Sequence, residues 1–307
     1  MKNSILKTEN FGTILITSDS IDNNSDIDIS RDKSGLQINF PEDYNGKIKL
    51  DFDLSKEINE KTFINLGKNS HVDLSEERIN GNSNYSSDIE IVLHENSKLN
   101  NLEIQNLNNN LTNIINKKII CGKGSTFSRI MMCFGSKTNK SNININLSEN
   151  SEAEDIELFF GNESQEFELN TDLIHSENKS KGNVIIKGIL IDKAKCNSNG
   201  ILKIKKEGQK TNTSLSEHIL LLSKDAKAQA VPALEIEADD VLASHSASVT
   251  QIDGDQLFYL TTRGITEKEA KKTITLGFLQ STIDKINNEQ IKNQFVNMFE
   301  EKWKQSN

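Results

Sequence analysis

The 307 residues carry a net charge of −9, and the resulting surface potential repels nucleic acid and anionic membranes, so neither is expected as the main partner. No window approaches the roughly 18 apolar residues of a membrane span, and Met1–Asn10 lack the apolar stretch of a secretory signal; a soluble, cytoplasmic protein is expected. Cys121, Cys133 and Cys196 form no CxxC pair, which speaks against a disulfide framework or a self-contained tetrahedral metal site and predicts small core side chains.

Residues 1–53 alternate apolar and polar side chains in stretches such as Asp26-Ile27-Asp28-Ile29. This predicts strands, either the first turns of a longer array or a short edge sheet. From Leu66 one phrase recurs: an apolar residue, a small or polar one, a charge, Asn, Asp or Gly, then a small residue. Leu66-Gly-Lys-Asn-Ser-His-Val-Asp, Leu93-His-Glu-Asn-Ser-Lys-Leu-Asn, Cys121-Gly-Lys-Gly-Ser-Thr-Phe-Ser and Leu147-Ser-Glu-Asn-Ser-Glu-Ala-Glu begin 27, 28 and 26 residues apart. A strained copy follows at Ile204-Lys-Lys-Glu-Gly and another at Leu222-Ser-Lys-Asp-Ala.

Self-similarity at a fixed period marks a solenoid. Each copy reads as a strand end, a turn whose Asn, Asp or Gly tolerates left-handed backbone, and a new strand. Period-two runs such as Asp88-Ile89-Glu90-Ile91 and Asn142-Ile143-Asn144-Ile145 place aliphatic residues on one face, and stacked coils of this length bury that face. The fold expected for 54–259 is therefore mainly β, a β-helix core, with an aliphatic interior that suits a chain holding only 6% aromatic residues. A disordered Asn-rich tract fits the regular alternation poorly.

Strand alternation is expected to stop after Tyr259. A capping box at Thr266-Glu267-Lys268-Glu269, stapled by Ile265 and Ala270, starts a helix with the stripe Ala270, Ile274, Phe278, Thr282/Ile283 and Ile286. A break at Asn287-Asn288 separates it from a second amphipathic helix carrying Ile291, Phe295, Met298/Phe299 and Trp303. Residues 260–307 thus form an expected helical region, which must cap the solenoid or bury its apolar face in a partner.

The densest polar cluster runs from Leu234 to His245 and holds Glu235, Glu237, Asp239, Asp240 and His245. Four carboxylates and an imidazole are ligands for a divalent metal or groups for acid/base chemistry. On a strand, however, Glu235 and Glu237 share a face and need not meet the others, so a solvated strand face ending in a turn is the plainer reading. Compact signatures of phosphate-binding loops, nucleophile elbows or zinc helices are absent. A β-helix carbohydrate lyase or hydrolase using the four carboxylates stays open, as does a structural solenoid.

In the same segment, Leu220-Leu221-Leu222-Ser223, Val231-Pro232-Ala233-Leu234-Glu235-Ile236-Glu237-Ala238-Asp239-Asp240-Val241, Ser244-His245, Gln256-Leu257-Phe258-Tyr259-Leu260 and Arg263-Gly264-Ile265 resemble the C-terminal signature of the SufB/SufD family. Upstream, Lys187-Gly188-Ile189-Leu190, Asn199-Gly200 and Gly208-Gln209-Lys210-Thr211 are similar to its central motifs in the same order. The resemblance implies a right-handed parallel β-helix with a C-terminal α-helical region, in a non-catalytic scaffold of SUF-type iron–sulfur cluster assembly. Its implied partner is a SufC-type ABC ATPase docking near Arg263, Ile274, Phe278 and Leu279. It further implies a dimer, either a homodimer or a heterodimer with a SufB-like subunit. The cysteine and glutamate that a SufB-type subunit supplies read Ala226 and Ser246, and a SufD-type cysteine reads Ala243, which brings the chain nearer to SufD. His245 remains as the family's assembly residue, with Glu235 and Glu237 as candidate co-ligands for a transient iron–sulfur cluster or iron.

Overall fold

The computed structural model describes residues 12–17, 20–23, 27–79, 81–286 and 288–306; the expectations resting on Met1–Asn10, Asp26 and Asn287 lie outside them. The chain winds into a two-sheet parallel solenoid. One sheet, A, contains β1 (Gly12–Ile16), β2 (Ile21–Asn23), β5 (Asn45–Phe52), β7 (His71–Ile79), β9 (Lys98–Asn106), β11 (Thr126–Cys133), β13 (Glu152–Gly161), β15 (Lys181–Leu190), β17 (Asn212–Leu221) and β19 (Leu242–Gln251). The facing sheet, B, contains β3 (Asp28–Asp32), β4 (Gly35–Phe40), β6 (Ile58–Leu66), β8 (Tyr85–Leu93), β10 (Thr112–Cys121), β12 (Thr138–Leu147), β14 (Glu166–His175), β16 (Lys195–Ile204) and β18 (Lys227–Ile236). Among the described residues only the N-terminal edge strands β2 and β3 pair antiparallel with their neighbours. Sheet A runs unbroken across residue 53, since β5 already pairs with β7.

The repeated phrase is the corner between a sheet-B strand and the next sheet-A strand. Its first residue enters a buried stack, with Leu66, Leu93, Cys121, Leu147, His175 and Ile204 in successive register. Its fourth residue is left-handed, at φ 56° for Asn69, 57° for Asn96, 66° for Gly124 and 56° for Asn150, a conformation that Asn and Gly tolerate best. Its fifth residue is a buried serine closing the turn: Ser70, Ser97, Ser125 and Ser151 each donate at 2.7 Å to the carbonyl three residues back. The Leu222 copy forms the opposite corner, between β17 and β18.

Period-two alternation sorts each strand into a lumen face and an outer face. Aliphatic residues such as Ile91, Ile119, Ile145 and Leu202 fill the lumen. The outer face of sheet A is apolar as well, with Ile104, Met132, Leu158, Phe160 and Ile189 buried beneath helices.

Strand structure ends at Gln251 rather than at Tyr259, because Asp253 caps a helix, α1 (Gly254–Thr262), through a bond from Asp255 N to its carboxylate. The expected capping box opens α2 (Glu267–Ile283). Asn288, at the expected break, caps α3 (Glu289–Gln305). In α3 the predicted stripe is buried as Phe295, Met298, Phe299 and Trp303, while α2 buries Ala270, Thr275, Leu279, Thr282 and Ile283. Ile274 and Phe278 are only half-buried, because the helix turns its Thr275/Leu279 face to the core. Together α2 and α3 form a hairpin against the flank of sheet A and leave the end of the solenoid open.

Candidate functional site

The lumen contains a charged core that composition does not announce. From successive strands Glu76 and Arg78 (β7), Glu103 (β9), Lys117 (β10), Arg129 (β11), and Asp155 and Glu157 (β13) all point inward, each no more than 3% exposed. Lys117 Nζ donates to Glu76 Oε1 at 3.0 Å and to Glu103 Oε1 at 2.7 Å. Arg78 reaches Glu103 at 3.2 Å. Arg129 forks onto Asp155 at 2.8 and 3.1 Å and also bonds Glu157. Burial by itself raises the Glu103 carboxyl, but Lys117, Arg129 and Arg78 outweigh it and hold this group well below the usual carboxylate range.

Four carboxylates face three cations in this network, so one negative charge is in surplus. Burial lifts Glu157 to about 7 in spite of Arg129, with Asp155 adding to the rise. Between its ordinary value of 4.5 and about 7, the folded protein keeps a proton that the unfolded chain has released. Stability from this group is therefore complete below the lower value and is lost as pH rises through the upper one. The urea midpoint should fall between about pH 4.5 and 7, and Glu157→Gln, which needs no proton, should remove that part of the slope. An identical slope in Glu157→Gln would assign the titration elsewhere.

The lumen columns continue toward the C-terminal end through an apolar layer of Val184 and Ile186, then reach Glu217 on β17 and His245 on β19. Glu217 is fully buried; its Oε1 accepts from Ser198 Oγ at 3.0 Å, and its Oε2 has no partner among the described residues. Gly200 makes the room, since a Cβ there would lie 2.9 Å from Glu217 Oε1. Burial raises the Glu217 carboxyl, opposed by Ser198, the Val231 backbone and the nearby His245.

His245 pairs in register with inward-facing Leu215 and therefore points into the lumen, yet it is exposed because no coil follows β19. The solenoid thus ends in a mouth with an accessible imidazole at the rim and a half-satisfied carboxylate one coil deeper. Sequence reasoning missed Glu217. The available signal was parity: in Thr213-Ser-Leu215-Ser-Glu217-His-Ile219 the glutamate alternates with the aliphatic residues.

The other anticipated ligands do not join this mouth. Strand parity turns Glu235 to the outer face of sheet B, where Lys203 Nζ binds it at 2.7 Å, and Glu237 lies beyond the end of β18. Among the described residues no three His, Cys, Asp or Glu side chains converge as a metal site. Cys121, Cys133 and Cys196 are buried, and burial raises each thiol, Cys121 and Cys133 to about 12. His175 is a neutral member of the corner stack, lowered to about 4 by burial and bonded to Ser180 Oγ at 2.7 Å.

The anticipated partner-binding residues separate too. Leu279 is 1% exposed under the hairpin. Phe278 lies at the hairpin seam, with Lys187 Nζ 4.8 Å above its ring and 2.6 Å from its carbonyl oxygen. Arg263 is exposed beside α1 and stacks on Tyr259 at 5.2 Å. None of the α1 residues is buried, and Phe258 and Tyr259 are 69% and 57% exposed. No helix among the described residues is long and apolar enough to cross a membrane.

These features define a parallel β-solenoid with a helical hairpin on its flank and an open mouth bearing histidine and glutamate. Residues 52–278 match the family model of the SufBD core domain, of SUF-system FeS cluster assembly. The chain belongs to this SufBD family. It is 37% identical over 144 residues to the iron–sulfur cluster assembly protein SufD of Bacillus subtilis, covering 47% of this chain and 33% of that protein. Over 197 residues, or 64% of this chain, it is 26% identical to a SufBD family protein of Mycobacterium bovis and 24% identical to one of Staphylococcus saprophyticus, covering 23% and 42% of those proteins. The chain therefore spans less than half the length of these curated relatives.

Proposed function

We propose that this chain is a scaffold subunit of iron–sulfur cluster assembly with no turnover of its own, working as a dimer with a SufC-type ATPase. The observation that carries this reading is the mouth at the C-terminal end of the solenoid: exposed His245 and, one coil deeper, the Glu217 oxygen that has no partner among the described residues. Imidazole and carboxylate suit iron as cargo, and we assign the contact to His245 and Glu217 rather than to Glu235 and Glu237 on the outer face. Two ligands leave coordination incomplete, which fits transient holding and a second subunit, homologous or SufB-like, that supplies the rest.

The rim supports the dimer. Strands β18 and β19 are edges, and Val231, Ile236, Leu242 and Val249 are 40–70% exposed there. Open edges bearing apolar side chains invite pairing unless a partner covers them. Next to the rim, Phe258, Tyr259 and Arg263 form an aromatic and cationic surface of the kind that anchors interfaces, and we place the ATPase there.

The test is anaerobic co-purification with a SufC-type ATPase, with iron and acid-labile sulfide measured on the complex. Phe258→Glu should keep its melting temperature and bind the ATPase roughly thirtyfold more weakly, as expected when an anchor worth about 2 kcal/mol is lost. His245→Ala and His245→Gln should bind the ATPase normally while retained iron and enzyme maturation fall about tenfold or more. Undiminished iron and full complementation by both histidine variants would overturn the site assignment, and wild-type chain that never retains the ATPase would overturn the partnership.

A further inference from the structure

A second concavity lies away from the mouth, where the end of the hairpin meets the outer face of sheet A. Its volume is about 350 Å³, within the range of small-molecule pockets. Leu102, Ile130 and Ile156 form an apolar floor on β9, β11 and β13, and Ile286 and Ile291 from the hairpin form an apolar wall.

Around that apolar interior the charges are unbalanced. Asp73 is engaged by Asn100 Nδ2 at 2.7 Å and by Lys47 at 4.0 Å, and Glu154 accepts from Asn183 at 3.2 Å. Lys98 and Lys285 also line the cavity, and among the described residues neither ammonium has a carboxylate partner. In a chain of net charge −9, two uncompensated ammonium groups facing one cavity form a local positive field. Ser75 adds an independent signal: it lines the cavity, is only 3% exposed, and its hydroxyl has no hydrogen-bond partner among the described residues. A buried hydroxyl without a partner is costly, and a ligand oxygen within the cavity would relieve that cost.

We infer that this cavity binds a small amphipathic anion, with a short apolar body on the Leu102–Ile130–Ile156 floor and a phosphate or carboxylate head held by Lys98, Lys285 and the Ser75 hydroxyl. Such a ligand would bridge the hairpin and the solenoid and stabilise their contact. The inference does not rest on the assembly role or on His245.

Isothermal titration calorimetry of the full chain at low salt provides the test, with hexyl phosphate and hexanoate as probes of the two head groups and inorganic phosphate and hexanol as half-ligands. One molecule of hexyl phosphate or hexanoate should bind per chain, and the preferred probe identifies the head group. Each half-ligand should bind at least about tenfold more weakly, since it loses one of the two contacts. The double variant Lys98→Ala/Lys285→Ala should keep its melting temperature, because neither lysine is paired, and should bind the probe about tenfold or more weakly. Lys98→Arg/Lys285→Arg should retain binding. No saturable binding of either probe, or equal binding by the alanine double variant, would overturn the inference.

Discussion

Replacing Arg129 with methionine is expected to cost about 3–5 kcal/mol, the usual penalty for removing one partner of a buried ion pair, read as a fall in the urea midpoint at unchanged slope. The side chain is 1% exposed and is the hub of the lumen network, contacting Asp155, Glu157 and Glu103. Methionine fills most of the volume, so the loss measures carboxylates left without compensation rather than a void. Arg129→Lys should fall between the two, because one ammonium keeps the charge but cannot reproduce the fork onto Asp155. Raising pH should deepen the defect in Arg129→Met, since Glu157, already lifted by burial, loses its main opposing cation. A loss under about 1 kcal/mol, the range of a surface pair, would mean that water reaches these groups.

Phe299→Ala should be comparably severe, about 3–5 kcal/mol for a large-to-small change in a packed core. Phe299 is fully buried, with Phe160 of the solenoid 5.5 Å away and Trp303 5.7 Å away, ring to ring. The defect should be local. Amide exchange in α2 and α3 should accelerate and Trp303 emission should shift red, while the β13 and β15 amides stay protected. Lys302 sharpens the expectation, because its ammonium donates to Phe134 O and, at 2.7 Å, to Gln165 Oε1, and burial lowers it to about 8. Once the hairpin lifts, that ammonium returns to water. Equal loss of protection in helices and strands would instead make the hairpin inseparable from the solenoid.

The sequence by itself determined the coil. The Leu66, Leu93, Cys121 and Leu147 phrases dictate where the backbone turns left-handed, because Asn and Gly at a fixed offset are local chemistry that needs no distant contact. Strand parity, the capping box before α2 and the Phe295–Trp303 stripe of α3 were legible for the same reason. The family was legible from the ordered motifs between Lys187 and Ile265, and the structure supplies reasons for some of them. Gly188 leaves space for the Phe159 ring, which would lie 1.9 Å from a Cβ there, and Lys187 ties the sheet to α2.

Only the tertiary structure decided what the charges do. Glu76, Glu103, Lys117, Arg129 and Asp155 look like ordinary solvated positions until register stacks them inside one lumen, where opposite charges from strands 14 to 41 residues apart become partners. Local pattern could not show that Leu257–Tyr259 is helical, since a short apolar run serves either structure, nor that α2 turns Leu279 rather than Phe278 to the core. Half of the mouth escaped sequence reading: the family's motif marked His245, but no motif singled out Glu217. Glu217 and His245 lie 28 residues apart and become neighbours because coils stack. We propose them as a site because, among the described residues, no further coil follows β19 to bury His245.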